Sequence, residues 1–365
     1  MDSVEKKEYL TQQLITYIGS KRALLDFIGE GIGKVQKKLG RNKLKTFDAF
    51  SGSGIVARYL KRFSDLLIVN DLEKYSTITN GCYLSNEEEL DMVRLGNHYR
   101  EIREGLKGRL ERGIISELYA PLDDKNIREN ERVFYTSRNA MYIDTARQLI
   151  GKIPKEEQKY FLAPLLSQAS IHVNTSGVFK GFYKNKAGVG QFGGRNMDAL
   201  LRITGEIELP FPVFSNFSCE TVICNGDTNE IIKDLPEVDL AYLDPPYNQH
   251  PYGSNYFMLN LIVDCKKPVG ASKVSGIPKD WNRSMYNKQN KAPEALTKLV
   301  GEIKAKYVMV SFNSEGFIGI DEMRKTLGKA GKVEVLETKY NTFRGSRNLR
   351  NREIHVKEYL YLLEK

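Results

Sequence analysis

The sequence predicts an α/β protein: a mostly parallel sheet with an antiparallel C-terminal strand pair, interrupted by an inserted, mainly helical region. Three observations predict it. Short apolar runs ending on an acid or in a turn recur toward both ends of the chain: "LKTFDAF" (44–50), "LLIVND" (66–71), "TVICNGD" (221–227) and "VDLAYLD" (238–244). Helical patterns accompany them, the alternation that builds parallel sheets. From about 80 to 214 that rhythm stops, and longer charged segments and a loop rich in Gly, Asn and rings take over.

Taken in order, "YIGSKRALLDFI" (17–28) reads as a loop capping an amphipathic helix. "LKTFDAF" is a short buried strand, "SGSG" (51–54) a turn, "IVARYLKRF" a helix and "LLIVND" the next strand. Helical segments are expected around 86–112, 139–150 and 156–171, followed by a loop at 174–196. Strands return at 221–227, 238–244, 306–313, 333–340 and 355–364, the last two as an antiparallel pair around a basic loop. The expected division is 1–80 with 215–365 as one domain and 81–214 as an insert, within the reach of 365 residues.

No apolar run approaches the roughly 20 residues of a membrane span. The charged start "MDSVEKKEYL" has no secretory pattern, and the four scattered cysteines read as reduced thiols in a cytosolic protein. They form no Cys/His cluster, so no metal is expected. The net charge of +9 suits a polyanionic partner. Residues 158–197 contain no Asp or Glu, yet hold Lys159, Lys180, Lys184, Lys186 and Arg195, interleaved with Phe179, Phe182, Tyr183 and Phe192. The stretch 266–291 carries Lys266, Lys267, Lys273, Lys279, Arg283, Lys288 and Lys291 against Asp280 alone. A third, 339–357, holds six Lys/Arg, among them Arg344 and Arg347, and one Glu. Solvated faces usually mix both signs, so these segments point to phosphate contact.

The glycines Gly52 and Gly54 let the backbone turn sharply beside a ligand. Asp71 ends the next strand, where a carboxylate accepts from both hydroxyls of a ribose; the pair suggests an adenosine-type ligand. Tyr17, Gly19 and Lys21 combine a ring, a flexible turn and a cation, as a zwitterionic amino-acid end requires. Asp227 ends a further strand. In "AYLDPPYNQHPY" (241–252), Asp244 and a backbone carbonyl are suited to accept both N–H bonds of an amino group conjugated to a planar ring. Pro245 and Pro246 stiffen the turn and contribute carbonyls without donors, and Tyr247 offers a stacking face.

With these motifs in this order ("YIGSK", "FDAFSGSG", "IVND", a long insert, "NGD", "LDPPY", "SFNSEGF" and the closing strands), the chain resembles the Dam-like, α-group adenine-N6 DNA methyltransferases over roughly 10–80 and 215–365. The resemblance implies a Rossmann-like class I methyltransferase sheet and S-adenosylmethionine as cofactor, with S-adenosylhomocysteine as product and no metal. It implies that Tyr17 and Lys21 meet the methionine end, that Phe50, Gly52 and Gly54 form the pocket's wall and floor, that Asp71 holds the ribose and that Asp227 lies near the adenine. Asp244, bordering the cofactor, and the Pro245 carbonyl would take the target amino group, Pro246 would complete the turn, and Tyr247 would stack on an adenine flipped out of double-stranded DNA. The insert would be the target-recognition domain, with Lys180, Lys184, Lys186 and Arg195 on DNA. Arg344 and Arg347 would lie near phosphates, and 266–291 would be a mobile loop closing on DNA. Also implied are direct in-line transfer, a bacterial cytoplasmic setting, no membrane, a monomer or weak dimer, and a role beside a separately acting restriction endonuclease or as an orphan. The alternatives are an RNA (rRNA) amino-methyltransferase and an idle nucleic-acid-binding subunit.

Overall fold

The computed structural model describes residues 4–12, 14–194, 196–341 and 355–365. Seven strands form one sheet: β1 (Leu44–Asp48), β2 (Ser64–Asp71), β3 (Glu220–Asn225), β4 (Val238–Leu243), β5 (Ala305–Asn313), β6 (Lys332–Asn341) and β7 (His355–Glu364), in the order β3-β2-β1-β4-β5-β7-β6. β1 to β5 are parallel, while β7 runs antiparallel to both β5 and β6. The chain winds outward from β1 through β2 to β3, then returns to β1's other side for β4 and β5. That reversal opens a crevice beyond the C-terminal ends of β1 and β4, where open α/β sheets hold ligands.

The central strands form because their residues suit burial on both faces: all six residues of β4, "VDLAYL", are buried, while the edge strand β3 has none buried. Helix Leu25–Leu39 covers one face with Leu25, Ile28, Ile32 and Val35, spaced three and four apart. Helices Ala292–Glu302 and Ile320–Gly328 cover the other through Leu296, Leu299, Val300, Met323 and Leu327.

Between β2 and β3 the chain is helical. Helices Met92–Lys107, Ser137–Ile150 and Lys159–Ile171 pack around Phe134, Tyr135, Ile143 and Phe161, all fully buried. The same core continues into helices Lys74–Tyr83 and Phe257–Asp264, and residue 81 lies inside the first of these. Truncating Phe134 or Phe161 to alanine would cost about 3–5 kcal/mol. The expected helix at 86–112 is shorter. A 3₁₀ turn, Glu87–Glu89, precedes helix Met92–Lys107, which starts where the Asp91 carboxylate accepts the Arg94 N–H at 2.9 Å. No described helix is long and apolar enough to cross a membrane.

Candidate active site

Loops leaving the C-terminal ends of β1, β2, β3 and β4 surround one open cavity of about 690 Å³, counting its mouth. Segment 17–19 and a wall, 282–287, that ends in the 3₁₀ turn Met285–Asn287 complete it. Of the residues singled out in the sequence, Tyr17, Gly19, Phe50, Gly52, Asp71, Asp227, Asp244 and Pro246 line it. Four acids face it, Asp71, Glu73, Asp227 and Asp244, and no Lys or Arg stands among its lining residues.

The turn after β1 is built for close approach. Gly52 adopts φ 51°, and a Cβ there would come within 2.9 Å of the Tyr17 ring. Its N–H donates to Asp71 Oδ2 at 2.7 Å, and Asp71 Oδ1 accepts the Glu73 N–H at 2.9 Å. These backbone N–H groups hold the Asp71 carboxylate at the cavity's edge. Gly54 lies just behind, at the start of helix Ile55–Lys61, outside the lining. Desolvation pushes the Asp71 carboxyl up to about 6. Glu73, 2% exposed, accepts from the side-chain amides of Asn260 (2.6 Å) and Asn282 (3.2 Å). Desolvation and the neighbouring Asp71 push it up to about 7.

Aromatic rings supply the rest of the wall. Tyr17 stacks on Tyr252 and Tyr256, with centroids 5.0 and 4.8 Å away. The Ile18 N–H donates to Tyr256 Oη and the Tyr252 hydroxyl donates to the Ile18 carbonyl, which pins segment 17–19 to the turn after the Asp-Pro-Pro-Tyr motif. Phe50 meets Tyr286 edge to face at 5.1 Å. Asp227 is exposed and caps helix Thr228–Ile231 by accepting the Asn229 N–H.

Asp244 follows β4 directly, with 18% of its side chain exposed. Lys21 is placed differently from expectation: it lies outside the cavity lining, buried behind Asp244, because its charge is taken by two carboxylates. Lys21 Nζ is 2.9 Å from Asp244 Oδ1 and 3.4 Å from Glu358 Oε1, and the Ser311 hydroxyl donates to Glu358 Oε1 at 2.7 Å. Burial disfavours the lysine's charge, but Asp244 and Glu358 outweigh it and hold Lys21 well above the ordinary range. Desolvation pushes Asp244 up to about 6 against the pull of Lys21. Pro245 is buried. The Tyr247 ring meets Phe312 edge to face at 5.9 Å, and Lys21 Nζ lies 5.7 Å from its centroid.

Of the residues expected on DNA, Lys180, Lys184 and Lys186 are exposed. The fully buried Asn174 anchors their segment, its amide donating to the carbonyls of Val133 and Gln191. A bridge between Lys184 and Gly190 makes the tip a small hairpin that the sequence did not signal. Arg195, Arg344 and Arg347 lie outside the described residues. The stretch 266–291, expected as a mobile loop, includes the cavity wall itself through Asn282, Ser284, Tyr286 and Asn287. These four, with Glu73, Tyr252 and Glu358, escaped sequence reasoning. Only Glu73, two residues past a strand-ending acid, carried a signal that could have found it.

The cavity fits S-adenosylmethionine. The strand-end carboxylate of Asp71 suits ribose hydroxyls, the Phe50–Tyr286 corner suits a purine, and an acidic lining, in which only Asp244 has a cation behind it, suits a sulfonium and an ammonium. The chain is 28% identical over 361 residues to the type II methyltransferase M.NlaIII of Neisseria lactamica, covering 96% of this chain and 99% of that protein. It is 28% identical over 358 residues to the type II methyltransferase M.CviAII of Paramecium bursaria Chlorella virus 1, covering 96% and 98%. It is 26% identical over 374 residues to the modification methylase StsI of Streptococcus sanguinis, covering 96% of this chain and 52% of that one. The family model for D12 class N6 adenine-specific DNA methyltransferases matches residues 17–326. With the strand-end acids, the Asp-Pro-Pro-Tyr turn and the sheet order all in agreement, the chain belongs to that family of adenine-N6 DNA methyltransferases.

Proposed function

We propose that the acid-rich cavity is where S-adenosylmethionine meets the extruded adenine, and that Asp244 receives the target amino group. The observation that carries this is the shared cavity: the acid opening the Asp-Pro-Pro-Tyr turn lines the same space as Gly52, Asp71 and Asp227. When bound, the cofactor supplies a methyl group on a sulfonium, already an activated leaving group, so the protein's task is to position and to exclude.

Asp244 and the Pro245 carbonyl accept the two N–H bonds of the adenine nitrogen, drawing its lone pair out of conjugation and toward the methyl. Tyr247, braced by Phe312, stacks on the base. Transfer would form the N–C bond as the donor's S–C bond breaks, leaving the neutral thioether S-adenosylhomocysteine, and the nitrogen would shed one proton. Asp244, poised near pH 6, is the first acceptor in reach. Lys21, held by Glu358, keeps one Asp244 oxygen engaged from behind and leaves the other for the nitrogen. Asp71 holds the ribose, Asp227 lies by the cofactor's adenine, and Tyr17 closes the methionine end.

The segment 81–214 serves target recognition, with Lys180, Lys184 and Lys186 on the DNA backbone. Relatives named as modification methylases support a modification role; a separately acting endonuclease and a monomeric or weakly dimeric chain are part of the same proposal. The test is to incubate the pure protein with labelled S-adenosylmethionine and duplex DNA or RNA, then resolve the nucleosides. Label on N6-methyldeoxyadenosine supports the reading; label on RNA alone, or on no substrate, overturns it.

A further inference from the structure

The wall segment 281–286 has two faces. Asn282, Ser284 and Tyr286 line the cavity. The residues between and beside them turn away: Arg283 is exposed, Met285 is 40% exposed, and Trp281, the chain's one tryptophan, is half-buried. The Arg283 guanidinium lies 4.1 Å from the Trp281 ring centroid and donates to the carbonyls of Trp281 (3.1 Å) and Lys279 (3.3 Å). This makes a fixed, flat, cationic surface of the kind that stacks on bases and grips phosphate. Within 266–291, Lys267 and Lys291 have carboxylate partners at 3.6 Å; among the described residues Lys279, Arg283 and Lys288 have none.

The segment is also locked to the chemistry. It crosses Gly253 so closely that a Cβ there would stand 2.4 Å from the Asn282 carbonyl oxygen, and Gly253 lies in the turn Tyr252–Asn255 that follows the catalytic motif. Asn282 donates to the Leu72 carbonyl (3.0 Å), tying the wall to the end of β2. The Phe179 N–H donates to the Asn255 carbonyl at 2.7 Å, so the segment bearing Lys180 hooks onto the same turn.

We propose that Trp281 and Arg283, with Lys279 and Lys288 beside them, form a second DNA contact on the outside of the cofactor cavity, so that cofactor and DNA bind cooperatively through one shared wall. A ligand against Asn282, Ser284 and Tyr286 steadies the surface that Trp281 and Arg283 present, and linkage makes the effect reciprocal. This rests on the cavity being the cofactor site.

As the single tryptophan, Trp281 is its own reporter. Its emission should change when a short duplex carrying the methylated site is added to wild-type protein. S-adenosylhomocysteine should tighten that duplex by about tenfold, a coupling of ordinary size. The double variant Trp281→Ala/Arg283→Gln should bind the duplex about tenfold more weakly, lose the tightening, and show a salt slope shallower by about one. Its affinity for S-adenosylhomocysteine without DNA should stay within about twofold of wild type, which also reports correct folding. Lys279→Gln/Lys288→Gln gives a milder second arm. Unchanged DNA affinity, slope and tightening in both variants, or an emission blind to DNA, overturns the inference. If wild-type protein transfers no methyl to DNA adenine, it is the functional reading that fails instead.

Discussion

The cavity and the chain's basic segments carry opposite charge. Asp71, Glu73, Asp227 and Asp244 line the inside, where no Lys or Arg joins them and Lys21 meets Asp244 only from behind, in a chain whose net charge is +9. The segments 158–197 and 266–291, the second of which supplies part of the cavity wall, hold cations with almost no acid. The acids sit at or just past the ends of β2, β3 and β4, fixed by the sheet; the exposed lysines ride on loops anchored at a few buried points such as Asn174. On the proposed reading, this sorting would serve two substrates: an acidic pocket would draw a cationic methyl donor and repel phosphate, while the basic segments would hold the phosphate backbone outside. A flipped adenine, neutral, is the part of DNA that can cross between them.

The hardest blow to the acidic side is Asp244→Ala, expected to lower the rate of transfer by about 10³-fold, the scale for losing a group aimed at the reacting atom. Cofactor affinity by equilibrium dialysis should change only a few-fold; equal loss of both would make Asp244 a cofactor ligand foremost. Lys21→Met comes next, at about 10²-fold near neutral pH. Its pH–rate profile separates positioning from mere damage. Without the cation, the Asp244 carboxyl rises above its present value of about 6, so the acid limb must move to higher pH. A uniform loss at every pH would count against a positioning role.

On the basic side, replacing Lys180, Lys184 and Lys186 together by alanine should weaken duplex binding by roughly 10- to 100-fold and flatten the salt slope by up to about 2.7, or 0.9 per lost phosphate contact. An unchanged slope would move the DNA surface elsewhere. The smallest effect concerns pH and the cofactor alone. Glu73 stands at about 7 and Asp71 at about 6, so both take up protons as pH falls through that range. A cation in the cavity favours their ionised forms, so its binding expels protons there. Affinity for S-adenosylmethionine should therefore fall below about pH 7, by at most about tenfold per unit per group. S-adenosylhomocysteine, lacking the sulfonium charge, should fall less. Calorimetry in buffers of different ionisation heat would detect the released protons, and identical pH curves for the two ligands would break the charge-matching argument.

Much of this was legible from strand ends. An apolar run closing on an acid puts that acid at the C-terminal edge of a parallel sheet, so Asp71 and Asp244 could be placed before any coordinates, and Gly52 and Tyr17 followed from turn chemistry. Lys21 was legible as a site residue but not in its partner. Its spacing from Gly19 suggested a ligand contact, whereas the fold buries it between Asp244 and Glu358, a residue 337 positions further along. Asn282, Ser284 and Tyr286 sit in a stretch with no regular period, so nothing local marks which of its side chains turn inward. The short hairpin at Lys184 and Gly190 was missed because its bridge depends on the anchoring of Asn174.

By itself the sequence determined the α/β class, the order of the strands along the chain, the strand-end acids and the Asp-Pro-Pro-Tyr turn, because these follow from local periodicity and from backbone limits that a few residues impose. Only the tertiary structure decided which distant groups complete the site: Glu358 behind Lys21, Asn282 across Gly253, and Tyr286 against Phe50. Burial and charge pairing act between residues that meet in space, and no period along the chain records which ones will meet.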